Sequence, residues 1–491
     1  MGEEVAGMAV NTSDQGPPVR ATGRLKRTVG FFEVMALSVA IMGPTGSMAL
    51  NGSLTAATDG TATALAFVGA TVAIALVAYS FIEFGRQYAH AGSVYVFNGR
   101  SFGARFGFLS AWALLGAYAI LAVAVAILSA DFLQSFLALL GISIDWVIPA
   151  LFFLGVMWVL VHRSVKLSTR TSLAIEGVSV AVILILVAIV LGRGGAHGLS
   201  TVPFQIGTAG VSAVGLASVF GFLSFAGFEG AATLGEETEN PRRAIPRALA
   251  AAVLLTGLFY ILVIYMQAEG FGTDAKGVTA FASSATPLAD VAKSYVGSYM
   301  AAIIDLGAMA SAFASGVGLL VASSRMLFAI SRDGFGPRSL SSVHPKHGSP
   351  YISVATLVVI GAVVIVILRL LGLNAVAGFG DLGTIGVLAL LVVYIASQFA
   401  AIRFFAKSGI WRAVQFVIPI AAIVMLGYTL YSNVYPVPPA PAQFFPYIVL
   451  AWFAIGIAII FAVPGLSAKI GASFTEGRAG EIVRGDSELV P

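Results

Sequence analysis

Two motifs place unusual residue types inside long apolar stretches of the chain, and both could do chemistry there. The first is Gly43-Pro44-Thr45-Gly46. Proline removes a backbone donor and glycine frees the backbone, so the pair predicts an interrupted helix. The amide and carbonyl groups left over are tolerated at membrane depth only where they line a protein cavity. The alternative is a simple proline kink.

The second motif sets an acidic residue between two glycines: Ser224-Phe225-Ala226-Gly227-Phe228-Glu229-Gly230. A charge at the centre of an apolar span costs several kcal/mol, so such residues usually face a transport pathway or a partner. The alternative interpretation is a structural carboxyl that is protonated or hydrogen-bonded to a neighbouring helix. Further acids inside apolar stretches, Glu176 and Asp305, have the same two interpretations.

Together the two motifs predict a site for a zwitterion. A half-helix beginning after Gly46 would offer free N–H groups and a positive dipole end to a carboxylate. Carbonyl groups released at the second motif would suit an ammonium group. The predicted substrate-binding residues are Met42, Gly43, Pro44, Thr45, Gly46, Ser47, Phe222, Ser224, Phe225, Gly227 and Phe228.

The elements that must position these motifs are membrane-spanning helices. Of the 491 residues, 58% are hydrophobic and only 10% are charged, against about 25% charged in soluble domains. Lipid therefore surrounds most of the chain. Segments of about 20 apolar residues predict twelve spans: 31–57, 62–85, 106–134, 146–162, 171–191, 211–235, 247–268, 297–330, 351–371, 378–402, 413–432 and 444–464.

The positive charges predict the orientation of these spans. With both termini on one side, that side holds 23 of the 27 lysine and arginine residues. Positive residues stay on the cytoplasmic side of membranes, so both termini are expected inside the cell. The predicted organisation is a cytoplasmic tail (1–30), a ten-helix core (31–402), two additional helices (403–466) and a second cytoplasmic tail (467–491).

The two interrupted spans are the first and the sixth, which are five helices apart. That spacing is expected of two inverted five-helix repeats whose broken helices meet at a site near the membrane midplane. The fold prediction is therefore an all-α membrane protein with twelve transmembrane helices, an inverted five-plus-five repeat, and broken helices one and six.

Several motifs, in order, resemble the amino acid–polyamine–organocation permeases over residues 25 to 420. They are Leu25-Lys26-Arg27 with Gly30 and Glu33; Glu83, Gly92, Tyr95, Gly103, Gly107, Phe108 and Trp112; Gly227-Phe228-Glu229, Glu236-Glu237, Asn240-Pro241-Arg242 and Ile245-Pro246-Arg247-Ala248; Ser324-Arg325, Ser331-Arg332-Asp333-Gly334, Pro337, Gly348 and Pro350; and Gly383-Thr384.

This resemblance implies a LeuT-type fold and transport of amino acids or amines. It implies that helix-one glycines bind the substrate carboxylate and that carbonyls at the helix-six break bind the amine. One departure stands out, because the family usually separates the helix-one glycines by one residue, whereas Pro44 and Thr45 separate Gly43 from Gly46 here. This departure could signal a substrate with a different or absent carboxylate.

The coupling ion has two candidates. Glu229, beside the predicted amine site, is the candidate for proton coupling. Sodium-independent relatives often carry a lysine in helix five, and Ser179 lies near that position here. Sodium therefore stays an alternative, with Ser179, Ser311 and Ser315 as its ligands, although hydroxyls are also common contacts between membrane helices.

Other functions find little support in the sequence. There is no cysteine, and the five histidines are scattered, so no metal site, and no other cofactor, is expected. Gly378, Gly380 and Gly383 match a dinucleotide-binding pattern but open an apolar span rather than follow a strand. No enzyme activity or nucleic-acid partner is expected; the expected partners are a small amino acid or amine, a coupling proton or sodium ion, and lipid. The alternatives are a transporter of another solute (a polyamine or an inorganic cation), and a sensor or channel.

Overall fold

A computed structural model describes residues 30–87, 93–163, 169–230, 238–332, 337–407 and 412–462. The predicted tails, apart from Gly30, lie outside these residues. The described chain forms α1 (Phe31–Met42), α2 (Pro44–Asp59), α3 (Thr63–Gln87), α4 (Ser93–Phe102), α5 (Ala104–Leu139), α6 (Val147–His162), α7 (Thr169–Gly192), α8 (Gly210–Ser224), α9 (Pro241–Phe271), α10 (Ala275–Ser283), α11 (Pro287–Tyr295), α12 (Ser298–Arg332), α13 (Tyr351–Leu370), α14 (Ala375–Lys407), α15 (Val414–Ser432) and α16 (Phe445–Ala462).

The prediction of an all-helical, twelve-span membrane protein is confirmed. In the described part of the chain, eleven helical segments are long and apolar enough to cross a membrane, counting α1 with α2 and α8 with the turn after it. The twelfth predicted span is α6, which is apolar but has only 16 residues.

Three short helices were not predicted, namely α4, α10 and α11. They have 10, 9 and 9 residues, about half the length needed to cross a bilayer. A search for long apolar runs therefore passes over them. Both α10 and α11 connect α9 to α12.

The predicted interruption of the first span is confirmed, because α1 ends and α2 begins at Gly43. In the sixth span, regular helix ends at Ser224, well before the predicted limit at residue 235. The backbone then continues in tight turns to Gly230. Residues 231–235 lie outside the described residues.

Burial separates a central helix from a peripheral one. In the most apolar 18-residue stretch of α5, 83% of the residues are buried within the protein, whereas in that of the α16 span the share is 17%. α5 packs against α12 and α14. It therefore forms the interior of the bundle, while the exposed apolar side chains of α16 face lipid.

A reciprocal tryptophan pair fastens α16 to α5. The indole rings of Trp112 and Trp452 are stacked with centroids 4.2 Å apart. Each indole N–H donates to the carbonyl oxygen of the other tryptophan, at 2.8 and 2.9 Å. Gly116 and Gly456 lie one turn after the tryptophans, and each faces the other helix's indole, where a Cβ would clash. The glycines thus allow the two rings to stack.

Candidate substrate-binding site

The first helix break is built around Gly43. Its backbone has φ 56° and ψ 60°, a left-handed conformation that glycine adopts without a Cβ penalty. Pro44 follows as the first residue of α2, where its missing N–H is not needed. A Cβ on Gly43 would lie 3.2 Å from the Cβ of Ser315 and 3.3 Å from the Ser311 carbonyl oxygen. Glycine therefore also lets the break lie close to α12.

The first-turn amides of α2 already have protein partners. The Thr45 N–H donates to Glu176 Oε1 of α7 at 2.8 Å. The Gly46 N–H donates to the Ser311 hydroxyl of α12 at 3.2 Å. The Ser47 N–H donates to the Gly43 carbonyl, and Pro44 has no N–H. Where the sequence predicted a substrate carboxylate, the structure therefore places the carboxyl of Glu176 and a serine hydroxyl.

The last carbonyl groups of α1 each accept from one hydroxyl. The Ser315 hydroxyl donates to the Ile41 carbonyl at 2.5 Å, and the Ser47 hydroxyl donates to the Met42 carbonyl at 3.1 Å. A carbonyl oxygen has two lone pairs, so both groups can accept a further hydrogen bond. These carbonyls are suited to an ammonium group.

The second break follows Ser224. Gly227 has φ 87°. Hydrogen bonds across three residues join the Phe228 N–H to the Phe225 carbonyl and the Gly230 N–H to the Gly227 carbonyl. The Ser224 carbonyl, left without a helical donor, accepts from the Tyr260 hydroxyl at 2.8 Å. The broken segment is thus held by α9 on one side.

The two breaks meet, as the sequence predicted. The Ser38 hydroxyl of α1 donates to the Phe228 carbonyl at 2.7 Å. The Ile41 side chain packs against Gly227 and Gly230, where an added Cβ would clash. Residues far apart in the chain are therefore in direct contact where both helices are interrupted.

A small cavity of about 20 Å³ lies at this junction. Four of the predicted binding residues line it, namely Met42, Gly43, Gly46 and Ser47. The remaining lining is almost entirely apolar: Ile41, Leu121, Val125, Leu128, Leu223, Ala226, Ala312, Ser315, Leu319 and Phe379. The site therefore combines backbone polar groups from the first break with aliphatic walls from α5 and α12.

The other predicted binding residues are buried around the breaks and do not line this cavity. Phe225 packs against Tyr260, with ring centroids 5.0 Å apart. Phe228 packs against Phe81 and Tyr394, at 5.7 Å in both cases. Also buried are Pro44, Thr45, Phe222, Ser224 and Gly227.

Glu229 is held by two tyrosines. Its Oε1 accepts from the Tyr118 hydroxyl of α5, and its Oε2 accepts from the Tyr394 hydroxyl of α14 at 2.9 Å. The side chain is 2% exposed. Tyr118 lies one turn before Leu121, which lines the cavity. The carboxyl therefore links the second break to two other helices close to the cavity.

The three serines proposed as sodium ligands lie along α7 and α12. Ser311 and Ser315 both face Gly43. Ser179 faces Gly307, one turn before Ser311, and its hydroxyl donates to the Ile175 carbonyl at 2.9 Å. The adjacent Thr45 and Gly46 N–H groups donate to the Glu176 carboxyl and the Ser311 hydroxyl, respectively. The structure thus brings a carboxyl into the neighbourhood of these serines.

The described residues bury carboxyl groups but no cationic side chain. The buried carboxyl side chains are Asp59, Asp131, Glu176, Glu229, Glu269 and Asp305, with no buried lysine, arginine or histidine among those ranges. Three or more acidic or histidine side chains do not converge as a metal site anywhere in the described part. The described interior therefore offers carboxyl oxygens, and no cationic side chain, as partners for a charged solute.

Sequence reasoning missed the apolar cavity wall and the tyrosines. Leu121, Val125, Leu128, Leu319 and Phe379 belong to uniformly apolar helices, so no local pattern marks the ones that face the cavity. Tyr118 and Tyr394 are 111 and 165 residues from Glu229. An intramembrane tyrosine on a central helix is the only signal that could have pointed to them.

Comparison with known proteins agrees with this architecture. The family described as "Amino acid permease" matches residues 29–467. The chain belongs to this amino acid permease family and is a multi-pass membrane protein.

Three relatives from bacteria illustrate the range of similar proteins. The branched-chain amino acid permease BcaP of Bacillus subtilis is 29% identical, with 67% of this chain and 72% of the relative aligned. The methylthioribose transporter of the same organism is 26% identical over 89% of this chain and 93% of its own length. The low-affinity putrescine importer PlaP of Escherichia coli is 29% identical over 73% and 78%.

Proposed function

We propose that this protein is a secondary active transporter that moves amino acids or related amines across the cytoplasmic membrane by alternating access. The observation that carries the proposal is the meeting of two broken helices at a small cavity in the bundle. Membership of the amino acid permease family supports it, as do the permease and transporter names of the relatives.

Backbone groups and side chains would recognise different parts of the solute. The Ile41 and Met42 carbonyls, at the end of α1, would accept from the ammonium group of the solute. The aliphatic wall, including Leu121, Val125 and Leu319, would cover its apolar body. Because the wall offers little polar surface, solutes with aliphatic bodies should be favoured over polar ones.

Alternating access would be a relative movement of the two halves of the core. In this proposal residues 31–402 form two inverted five-helix repeats, and α15 and α16, within residues 403–466, are added outside them. The broken helices belong to opposite repeats, so movement at their contact would open the cavity to one side at a time.

Coupling to protons would use Glu229, which belongs to the broken segment and is hydrogen-bonded to two other helices. Both termini would be cytoplasmic, as the distribution of positive charge indicates. Reporter fusions at each terminus test this orientation: fluorescence of a cytoplasm-dependent reporter at both ends is expected, and activity of a periplasm-dependent reporter at either end contradicts it.

The function itself is tested by uptake into proteoliposomes. Purified protein is supplied with radiolabelled amino acids and aliphatic amines, with and without an inward proton gradient. Accumulation of at least one compound, abolished by a protonophore, is expected. Equilibration without accumulation would instead support a facilitator or an exchanger, and transport of no compound in the panel would reject the proposal.

A second candidate solute class is one without an amino group. The similarity to the methylthioribose transporter favours it. Adding thioether sugars and inorganic cations to the same uptake panel separates the two classes, because a solute lacking an amine should not compete for a site built on carbonyl groups.

A further inference from the structure

The N-terminus of α2 is occupied by the protein's own carboxyl group. Glu176 extends from α7 and accepts the Thr45 N–H at 2.8 Å. The side chain is 6% exposed. A helix N-terminus carries partial positive charge and unpaired N–H groups, which bind carboxylates well. A side-chain carboxyl therefore fills the position that the zwitterion prediction assigned to the substrate.

No other backbone N–H in this turn remains for a substrate carboxylate. Pro44 lacks an N–H, the Gly46 N–H is taken by Ser311, and the Ser47 N–H is bonded within the helix. A substrate carboxylate here would lie beside the Glu176 carboxyl, and both would share the partial positive charge of the α2 N-terminus. Like charges at short distance disfavour each other's ionised form.

The surroundings offer no positive side chain to replace those donors. Among the described residues, no buried side chain of the spans is a lysine, arginine or histidine. The cavity contributes instead the carbonyl end of α1, whose Ile41 and Met42 groups keep acceptor capacity. Acceptors without donors select a group that only donates, such as an ammonium ion.

We infer that Glu176 takes the place of a substrate carboxylate, so that the transported solute is an aliphatic primary amine without an α-carboxylate. This inference rests on the proposed amine-transport function and narrows its substrate class. Once the cavity widens beyond the present volume of about 20 Å³, its aliphatic wall would hold the body of the amine and the α1 carbonyls its ammonium group.

The test compares leucine with two compounds, one lacking only the carboxylate and one lacking only the amine. Leucine and 3-methylbutylamine share the same aliphatic body, and 4-methylpentanoate keeps the carboxylate but lacks the amine. Binding of each to the purified full-length protein is measured by thermal shift and by competition for uptake. The amine is expected to bind at least about tenfold more tightly than leucine, the effect of one charge-assisted hydrogen bond. The acid should not bind.

Variants of Glu176 connect this preference to the residue. Glu176→Ala frees the Thr45 N–H and should raise leucine binding relative to the amine by about tenfold. Glu176→Gln keeps an oxygen that can accept this N–H but removes the acidic group, so it should gain less leucine binding than Glu176→Ala. If Glu176→Ala does not fold, Glu176→Asp serves, since its shorter side chain withdraws from α2.

Glu269→Ala is the matched control. Glu269 is also buried and also accepts a backbone N–H, from Ser200 at 3.2 Å, but this N–H belongs to neither helix break. Its loss should leave the amine-to-leucine ratio unchanged. The inference is overturned if leucine binds the wild-type protein as tightly as the amine does. It is also overturned if Glu176→Ala leaves the amine-to-leucine ratio unchanged. In both cases the proposed transport function still stands. Transport of none of the amines or amino acids rejects the function itself.

Discussion

Glu176 and Glu229 are buried carboxyls at the two helix breaks, and they are held in opposite ways. Glu176 extends from the continuous helix α7 to a backbone amide of the broken helix. Glu229 belongs to the broken segment itself and accepts from tyrosines of the continuous helices α5 and α14. A bond to a backbone amide fixes the break in place, whereas bonds to hydroxyls can be exchanged when the segment moves.

This contrast separates two tasks. The carboxyl that binds backbone is suited to defining the shape and charge of the cavity. The carboxyl that binds side-chain hydroxyls is suited to changing its protonation during transport, since a tyrosine hydroxyl can donate to the ionised form and accept from the neutral form. Substitution of Glu176 should therefore change the amine-to-leucine preference, whereas substitution of Glu229 should change proton-driven accumulation.

The largest expected effect is the loss of accumulation in Glu229→Gln. One proton moving through 100 mV supplies about 2.3 kcal/mol, which supports roughly fifty-fold accumulation beyond the electrochemical equilibrium of the solute itself. The variant should bind the solute but only equilibrate it across proteoliposomes. Glu176→Gln is the comparison and should still accumulate solute. Proton-driven accumulation that persists in Glu229→Gln would remove Glu229 from the coupling mechanism.

The second effect concerns the stability of the breaks. Gly227→Ala forces alanine into a backbone with φ 87°, which costs about 1–3 kcal/mol. Its thermal midpoint in detergent should fall. Gly230→Ala is the control, because its Cβ also meets the Ile41 side chain but its backbone carries no positive φ. Equal losses in both variants would assign the effect to Ile41 packing rather than to the backbone.

A smaller effect is expected when Glu229 loses one tyrosine. Tyr394→Phe removes a donor at 2.9 Å, and one such bond contributes about 1 kcal/mol, or roughly a fivefold change. The pH dependence of uptake should shift while the amine-to-leucine preference stays. Tyr265→Phe, which loses a hydroxyl bonded to the Ser200 carbonyl, should shift neither. A changed preference in Tyr394→Phe would mean that the two carboxyls act as one unit.

The smallest effect is predicted for sodium. Replacing sodium by choline should change initial uptake by less than about twofold, because the Ser311 and Ser315 hydroxyls are already engaged between helices. Accumulation that survives a protonophore but disappears without sodium would instead place the coupling ion near the serines and Glu176. In that case Ser315→Ala should lose the sodium-dependent accumulation.

The sequence predicted the breaks well because their causes are local. Gly43 and Pro44 predicted an interrupted helix, and α1 ends there at Met42. The second half-helix begins at Pro44 rather than after Gly46 as predicted, because proline fits the first position of a helix. The glycines around Glu229 likewise predicted a turn, although regular helix ends earlier than expected. Span lengths followed from apolar runs, since lipid requires about 20 such residues per crossing.

The contacts of the breaks could not be predicted in the same way. Glu176 was recognisable as an intramembrane acid, but its bond to Thr45 joins residues 131 positions apart. Nothing in the local pattern distinguishes a carboxyl that faces a helix end from one that faces a hydroxyl. The departure from the usual glycine spacing was the one hint that the carboxylate position is unusual.

The stacked pair of Trp112 and Trp452 gives the molecule an intrinsic optical probe. Two of its five tryptophans lie with their rings 4.2 Å apart and nearly parallel, at 9°. Indoles at this spacing couple their electronic transitions and produce a split circular dichroism signal that isolated tryptophans lack. Loss of that signal would report α16 separating from α5, without any added label, while the protein is heated, reconstituted or exposed to solute.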